Sequence, residues 1–230
     1  MTGDGGRTHV LLDLDGTLSD SEPGILKSLQ WACEQEGFPI PTDAEVRSVI
    51  GPPFEIGLPS IGIPDDALAR VINTYRDRYT RIGAFENSLY DGIIGMLDSM
   101  ADLGLSLSIA TAKPEQTAHP ILDYFGISER FDVRAGATLT SERRTKAQVI
   151  DFALRQLEIH ADPDLGDHVI MVGDRDHDVI GAMHHGIACI GVNWGYGSIE
   201  ELLTAGAVAL ADTPAEVVEL VQQPYRLFES

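Results

Sequence analysis

The stretch that decides the fold is Thr8-His9-Val10-Leu11-Leu12-Asp13-Leu14-Asp15-Gly16-Thr17-Leu18-Ser19-Asp20. Val10, Leu11 and Leu12 form an unbroken apolar run, and Asp15-Gly16 is a turn signal. A short run that is apolar at successive positions reads as a strand buried on both faces, ending near Asp13. Asp13 and Asp15, one residue apart, point the same way if the strand continues, and Gly16 lets the chain turn sharply after them.

Downstream, Ser21 and Glu22-Pro23 open an amphipathic helix through Ile25, Leu26, Leu29, Trp31 and Ala32 to about Gly37, with Ser21 as N-cap. Helical patterns follow near 42–50 and 65–82. Between them, IGPPFEIGLPSIGIP (50–64) is rich in Gly and Pro and reads as a loop with at most one short helix. No strand pattern occurs between about 20 and 85.

After Asp91-Gly92 the rhythm changes. Helical patterns at 93–103, 114–125, 145–157 and from about 175 to Gly186 alternate with strand patterns at 105–111, 131–136, 168–174 and 187–192. A short helix near 198–204, a strand near 207–210 and a helix near 213–222 close the chain. Such alternation predicts βαβ units and a parallel sheet, an α/β fold with ligands at the carboxyl ends of the strands. The all-helical stretch interrupts it. We read residues 1–17 and 86–230 as the core and 18–85 as an inserted helical cap.

The 230 residues carry 16 Lys plus Arg against 36 Asp plus Glu, a net charge of −20. That balance argues against nucleic acid and against an anionic membrane surface as partners. It leaves room for a small anionic substrate if a metal and a few cations share one pocket. Cys33 and Cys189 have no zinc-type spacing and read as buried thiols. The start, MTGDGGRTHV, does not read as a signal peptide, and no apolar run approaches the ~20 residues of a membrane span. The expectation is a cytoplasmic protein, monomeric or homodimeric. Residues 1–6 read as a disordered leader.

Four features fall at predicted strand ends or helix starts: Asp13-Leu14-Asp15-Gly16-Thr17, Thr111, Lys146 and Gly173-Asp174, with Asp176 and Asp178 just beyond. If the strands are neighbours, Asp13, Thr111, Lys146 and Asp174 converge. Clustered acids cannot all ionise cheaply without a counter-charge. A divalent cation with oxygen ligands answers this, and Mg²⁺ fits best because it shares carboxylates, waters and substrate phosphate. Metal, lysine, threonine and backbone N–H groups make a phosphoryl site.

The motifs DLDGT (13–17), IATAKP (109–114), TKAQVI (145–150) and VGDRDHD (172–178) occur in order along the chain. In them the sequence resembles the haloacid dehalogenase-like superfamily, in its phosphoglycolate phosphatase-like branch with a helical cap. The resemblance implies a Rossmann-like core and Mg²⁺-dependent hydrolysis of small phosphate monoesters. Asp13 would be the nucleophile and Asp15 the general acid and then base. Gly16, Thr17, Thr111 and Ala112 would lie against the phosphoryl group, and Lys146 would pair with Asp13. Asp13, the Asp15 backbone carbonyl and Asp174 would hold Mg²⁺, with Asp178 supporting Lys146 or a metal-bound water. An acid at Asp15 points to phosphate esters rather than halides, because a leaving alkoxide needs a proton and halide does not. Nucleoside 5′-monophosphates and sugar phosphomutase chemistry stand as alternatives.

Among weaker signals, Lys113 is a candidate phosphate contact, and Arg47 with the loop Ile50-Gly51-Pro52-Pro53 is a candidate substrate contact. Gly195-Tyr196-Gly197 reads as a loop near the site, without the GxGxxG of a dinucleotide cradle. His177, His184 and His185 read as surface or helix-end histidines. Trp31 and Tyr75 read as packing residues of the cap.

Overall fold

The computed structural model describes residues 7–51, 54–139, 142–159 and 168–223. The proposed leader 1–6 and Pro52-Pro53 of the cap loop lie outside the described residues. The chain divides into two compact units, Met1–Leu18 with Leu89–Ser230, and Ser19–Ser88.

The first unit opens with β1 (Thr8–Leu12), whose Val10, Leu11 and Leu12 have no exposed surface. The second unit begins at β2 (Ser19–Asp20) and runs through α1 (Glu22–Glu36), α2 (Asp43–Ser48), α3 (Phe54–Gly57), a 3-10 turn at Leu58–Ile61 and α4 (Leu68–Arg81). It ends at Ser88, the first residue of the two-residue strand β3 (Ser88–Leu89), which pairs with β2. The two-residue strand β2 and the 3-10 turn depart from the expected strandless segment with one short helix. Strands this short carry no periodicity to read.

Ser21 sits at the α1 N-cap in a helical conformation, and its hydroxyl makes no capping bond. The Asp20 carboxylate instead accepts from the Glu22 N–H at 3.2 Å. In α2, Thr42 and Glu45 form a reciprocal capping box. Within this unit Phe54 packs edge-on against Tyr75, which stacks on Tyr79, so Tyr75 belongs to the unit's interior.

The chain returns to the first unit through α5 (Ile93–Asp102), β4 (Ser106–Pro114), α6 (Glu115–Tyr124) and β5 (Val133–Ala137). Then come α7 (Lys146–Gln156), β6 (His168–Gly173), α8 (Asp176–Met183), β7 (Ala188–Val192), α9 (Ile199–Ala205), β8 (Ala209–Ala211) and α10 (Pro214–Val221). The six strands form one parallel sheet in the order β5-β4-β1-β6-β7-β8. Leu11, Ala110, Ala135, Val149, Ile150, Met171 and Val179 lie together in a buried cluster between strands and helices.

Register positions the site. Leu12 is opposite Ile109 of β4 on one side and Val172 of β6 on the other. The carboxyl ends of the three central strands therefore lie level, and Asp13, Thr111 and Asp174 leave them side by side. β4 runs three residues past its expected end, with a register shift between Ala110 and Pro114. That irregularity carries Thr111 and Lys113 off the regular ladder at the mouth of the sheet.

Candidate active site

Asp13 follows β1, its backbone N–H donating to the Val172 carbonyl at 3.0 Å. Its carboxylate is buried, with the Lys146 ammonium 2.9 Å from Oδ1. Lys146 is the first residue of α7, held there by the Thr145–Gln148 capping box. The same ammonium lies 2.6 Å from Asp178 Oδ1 and donates to the Ala110 carbonyl at 2.8 Å. Burial alone would lower the lysine's proton affinity, but the two carboxylates raise it above the ordinary range. Burial pushes Asp13 upward against the pull of Lys146. Asp178 is also opposed by burial, yet Lys146 and His177 hold its carboxyl below the usual range.

Asp178 is saturated from within the chain. Its Oδ1 takes the ammonium, and its Oδ2 accepts the backbone N–H groups of Asp174 and Arg175, each at 3.1 Å. Gly173 makes this possible, because a Cβ there would lie 2.3 Å from Asp178 Oδ2. Both oxygens of Asp178 are thus engaged within the chain.

Asp174 is fully buried. Its Oδ2 accepts the Tyr196 N–H at 2.7 Å, and its Oδ1 lies 3.4 Å from the Thr17 hydroxyl. Thr17 is thus buried against an acid rather than open to a ligand. Among the described residues Asp174 has no ion-pair partner within 4 Å. Burial, with Asp178 and Asp13 nearby, pushes its carboxyl up to about 8.

Asp15 pairs with Lys113, Nζ to Oδ2 at 2.7 Å, with side chains 17% and 6% exposed. The Thr111 hydroxyl accepts the Lys113 N–H at 3.2 Å, which fixes the backbone beside it. Lys113, expected at phosphate, reaches the proposed acid; the β4 irregularity turns it there. Ala112 is half-buried between them. Arg47 belongs to the other unit, where it makes a two-point pair with Glu22 at 2.8 and 3.0 Å with 58% of its side chain exposed. The structure gives it a partner in its own unit.

Four carboxylates, Asp13, Asp15, Asp174 and Asp178, therefore face two ammonium groups, Lys113 and Lys146. Among the described residues Asp174 is the one of these four without an ion-pair partner, and burial beside Asp178 and Asp13 raises its proton affinity. A divalent cation fits there, and a hard, oxygen-only donor set suits Mg²⁺. A second cluster, Asp13, His177 and Asp178, has ligand atoms within 4.8 Å of one another. Lys146 already contacts both of its carboxylates, so that cluster has its cation.

His177 was not expected here. It lies on the first turn of α8 with Nε2 3.7 Å from Asp178 Oδ1. Burial disfavours its charge, but Asp178 and Asp176 raise its proton affinity. The signal available was its place directly before Asp178. Asp176 lies half-exposed, with its N–H donating to Glu201, and its carboxylate faces His177. The loop after β7 is the other part that sequence reasoning left vague: Trp194 Nε1–H donates to the Thr17 carbonyl at 3.0 Å.

Comparison with known proteins identifies the family. The family model described as haloacid dehalogenase-like hydrolase matches residues 10–192, and the chain belongs to that family. It is 41% identical over 188 residues to the tyrosine-protein kinase PtkA of Mycobacterium tuberculosis, a match covering 82% of this chain and 62% of the relative. The chain thus spans about three-fifths of the length of the curated relatives it matches first. It is 35% identical over 195 residues to a 5′-nucleotidase of Pseudomonas aeruginosa, covering 84% and 86% of the two chains. A solved structure titled a "predicted phosphatase" of Clostridium acetobutylicum superposes with a TM-score of 0.86 at 35% identity, covering 95% of this chain and 99% of the other.

Proposed function

We propose that the protein is a Mg²⁺-dependent phosphatase that hydrolyses small soluble phosphate monoesters through an aspartyl-phosphate on Asp13. The observation that carries this is the pairing of two neighbouring acids with two different lysines, Asp13 with Lys146 and Asp15 with Lys113. The two acids thus have separate surroundings, which suits separate roles: Asp13 as nucleophile, and Asp15, in its protonated form, as the proton carrier.

In the first half-reaction an Asp13 carboxylate oxygen bonds to phosphorus as the ester P–O bond breaks. Asp15 gives its proton to the leaving oxygen. In the second, Asp15 takes a proton from water, whose oxygen displaces Asp13 from phosphorus and releases inorganic phosphate. Lys146 stays beside Asp13 and balances charge on the transferring group. Lys113 orients Asp15, and Thr111 with the Ala112 N–H lies against the phosphoryl oxygens. Asp13, the Asp15 carbonyl and Asp174 would hold Mg²⁺, which supplies charge neutralisation of the phosphoryl oxygens when bound. Asp178 and His177 keep Lys146 and Asp13 in place. The inserted helical cap, read as residues 18–85, would select substrate and exclude water.

Phosphoglycolate-type esters are the first substrate reading, from the resemblance of the four motifs. Nucleoside 5′-monophosphates are the second, favoured by the similarity to the Pseudomonas nucleotidase. The similarity to PtkA adds transfer to a hydroxyl acceptor as a competing outcome, as a phosphomutase would.

The test is phosphate release from 2-phosphoglycolate, nucleoside monophosphates and hexose phosphates, with and without Mg²⁺. Release that needs Mg²⁺ and disappears in Asp13→Asn supports the reading. Turnover surviving in Asp13→Asn, or without metal, overturns it. Transfer to an added acceptor with little free phosphate moves the protein to the transferase class.

A further inference from the structure

The loop after β7 lies outside the four motifs, yet the site is built against it. The Trp194 indole N–H donates to the Thr17 carbonyl, which ties the loop to the turn bearing Asp13 and Asp15. Two residues on, the Tyr196 N–H donates to Asp174 Oδ2 at 2.7 Å. The glycines on either side of Tyr196 explain so close an approach. A Cβ on Gly195 would lie 2.3 Å from Asp174 Cβ and 2.5 Å from the Gly16 carbonyl oxygen. A Cβ on Gly197 would lie 2.1 Å from the Asp174 carbonyl oxygen. Only bare backbone can sit there.

We infer that Trp194-Gly195-Tyr196-Gly197 is a positioning element for Asp174, fixing the direction of its carboxylate and thereby the affinity of the site for a divalent cation. This rests on the metal reading above. A carboxylate free to rotate must be ordered when the cation arrives. Here the Tyr196 N–H fixes one oxygen, the Thr17 hydroxyl lies at the other, and the indole holds the loop to the same Thr17 backbone. Groups of this kind around metal ligands are typically worth about 10–100-fold in metal affinity. Trp194 is the handle for testing it, since its N–H can be removed without altering Asp174 or Thr17.

The experiment uses Mn²⁺ as probe, with free ion measured by electron paramagnetic resonance, on the full chain. Trp194→Phe is expected to raise the Mn²⁺ dissociation constant by about 10–100-fold. Trp31→Phe, in the other unit, should stay at the parent value. Leu97→Ala in α5 should lower the melting temperature without moving the constant, which separates positioning from general destabilisation. A folded Trp194→Phe protein that binds Mn²⁺ as tightly as the parent overturns the inference. So does a Leu97→Ala protein, still folded, whose constant rises as much. A parent chain that binds no Mn²⁺ overturns the metal reading itself, a result distinct from either.

Discussion

Replacing Lys146 by Met should destabilise the protein strongly, and the structure sets the scale. The Lys146 side chain is 1% exposed and its ammonium lies against Asp13 and Asp178, whose side chains are 6% and 0% exposed. Methionine keeps most of the apolar stem, so little cavity is created and the change is mainly electrostatic. Breaking a buried pair by removing one partner costs about 3–5 kcal/mol, because the remaining charge is stranded. At roughly 2–4 °C per kcal/mol for a chain of this length, the melting temperature should fall by about 6–20 °C. Trp194 fluorescence in a Trp31→Phe background reads unfolding of the unit that holds the site. The double change Lys146→Met with Asp178→Asn should recover part of the loss. Its side-chain amide can still accept the two backbone N–H groups while turning its NH₂ toward Asp13. An unchanged melting temperature in Lys146→Met, or a double variant no more stable than the single, would refute the view of Lys146 as the counter-charge of this cluster.

Gly16→Ala should reduce phosphate release more than 100-fold, since Gly16 has φ +81° and a Cβ there would lie 2.2 Å from Asp174 Oδ2; activity near the parent value would contradict the geometry. Arg143→Met should slow turnover per folded molecule. The half-buried Arg143 donates to the Gly136 carbonyl at 2.6 Å and pairs with Glu115, tying the segment before Lys146 to the start of α6 just after Lys113; an unaltered kcat would remove that link. Glu86 is held below the usual carboxylate range by its hydrogen bond to Arg78, against burial, with Lys27 assisting. Its folded pKa is depressed, so its contribution is full above its ordinary value of 4.5 and is lost as pH falls through the folded value. The contribution is under about 1 kcal/mol for a partly exposed pair. Glu86→Gln should therefore flatten the acid limb of stability for residues 19–88, measured by denaturant titration from pH 3 to 6, and an unchanged limb would count against it.

Much of this was legible in the chain itself. The alternation of buried strands with glycine-terminated helices identifies a parallel α/β sheet, because each strand needs both faces covered and each helix must stop before the next strand. The placement of Asp13, Thr111, Lys146 and Asp174 at strand ends and helix starts follows from the same periodicity. Local signals failed where backbone conformation outweighed residue preference. Ser21 has a capping side chain but sits in a helical conformation, so Asp20 does the capping.

The pairings across the site belong to the tertiary structure alone. Lys113 and Asp15 are 98 residues apart, and only the irregular end of β4 turns the lysine toward the acid. Trp194 and Thr17 are 177 residues apart and meet because β7 lies one strand beyond β6, next to β1. Residue type declares which groups carry charge, and periodicity declares which end of a strand they leave. Which charge meets which counter-charge depends on strand order and register, and those emerge only when the whole sheet closes its core.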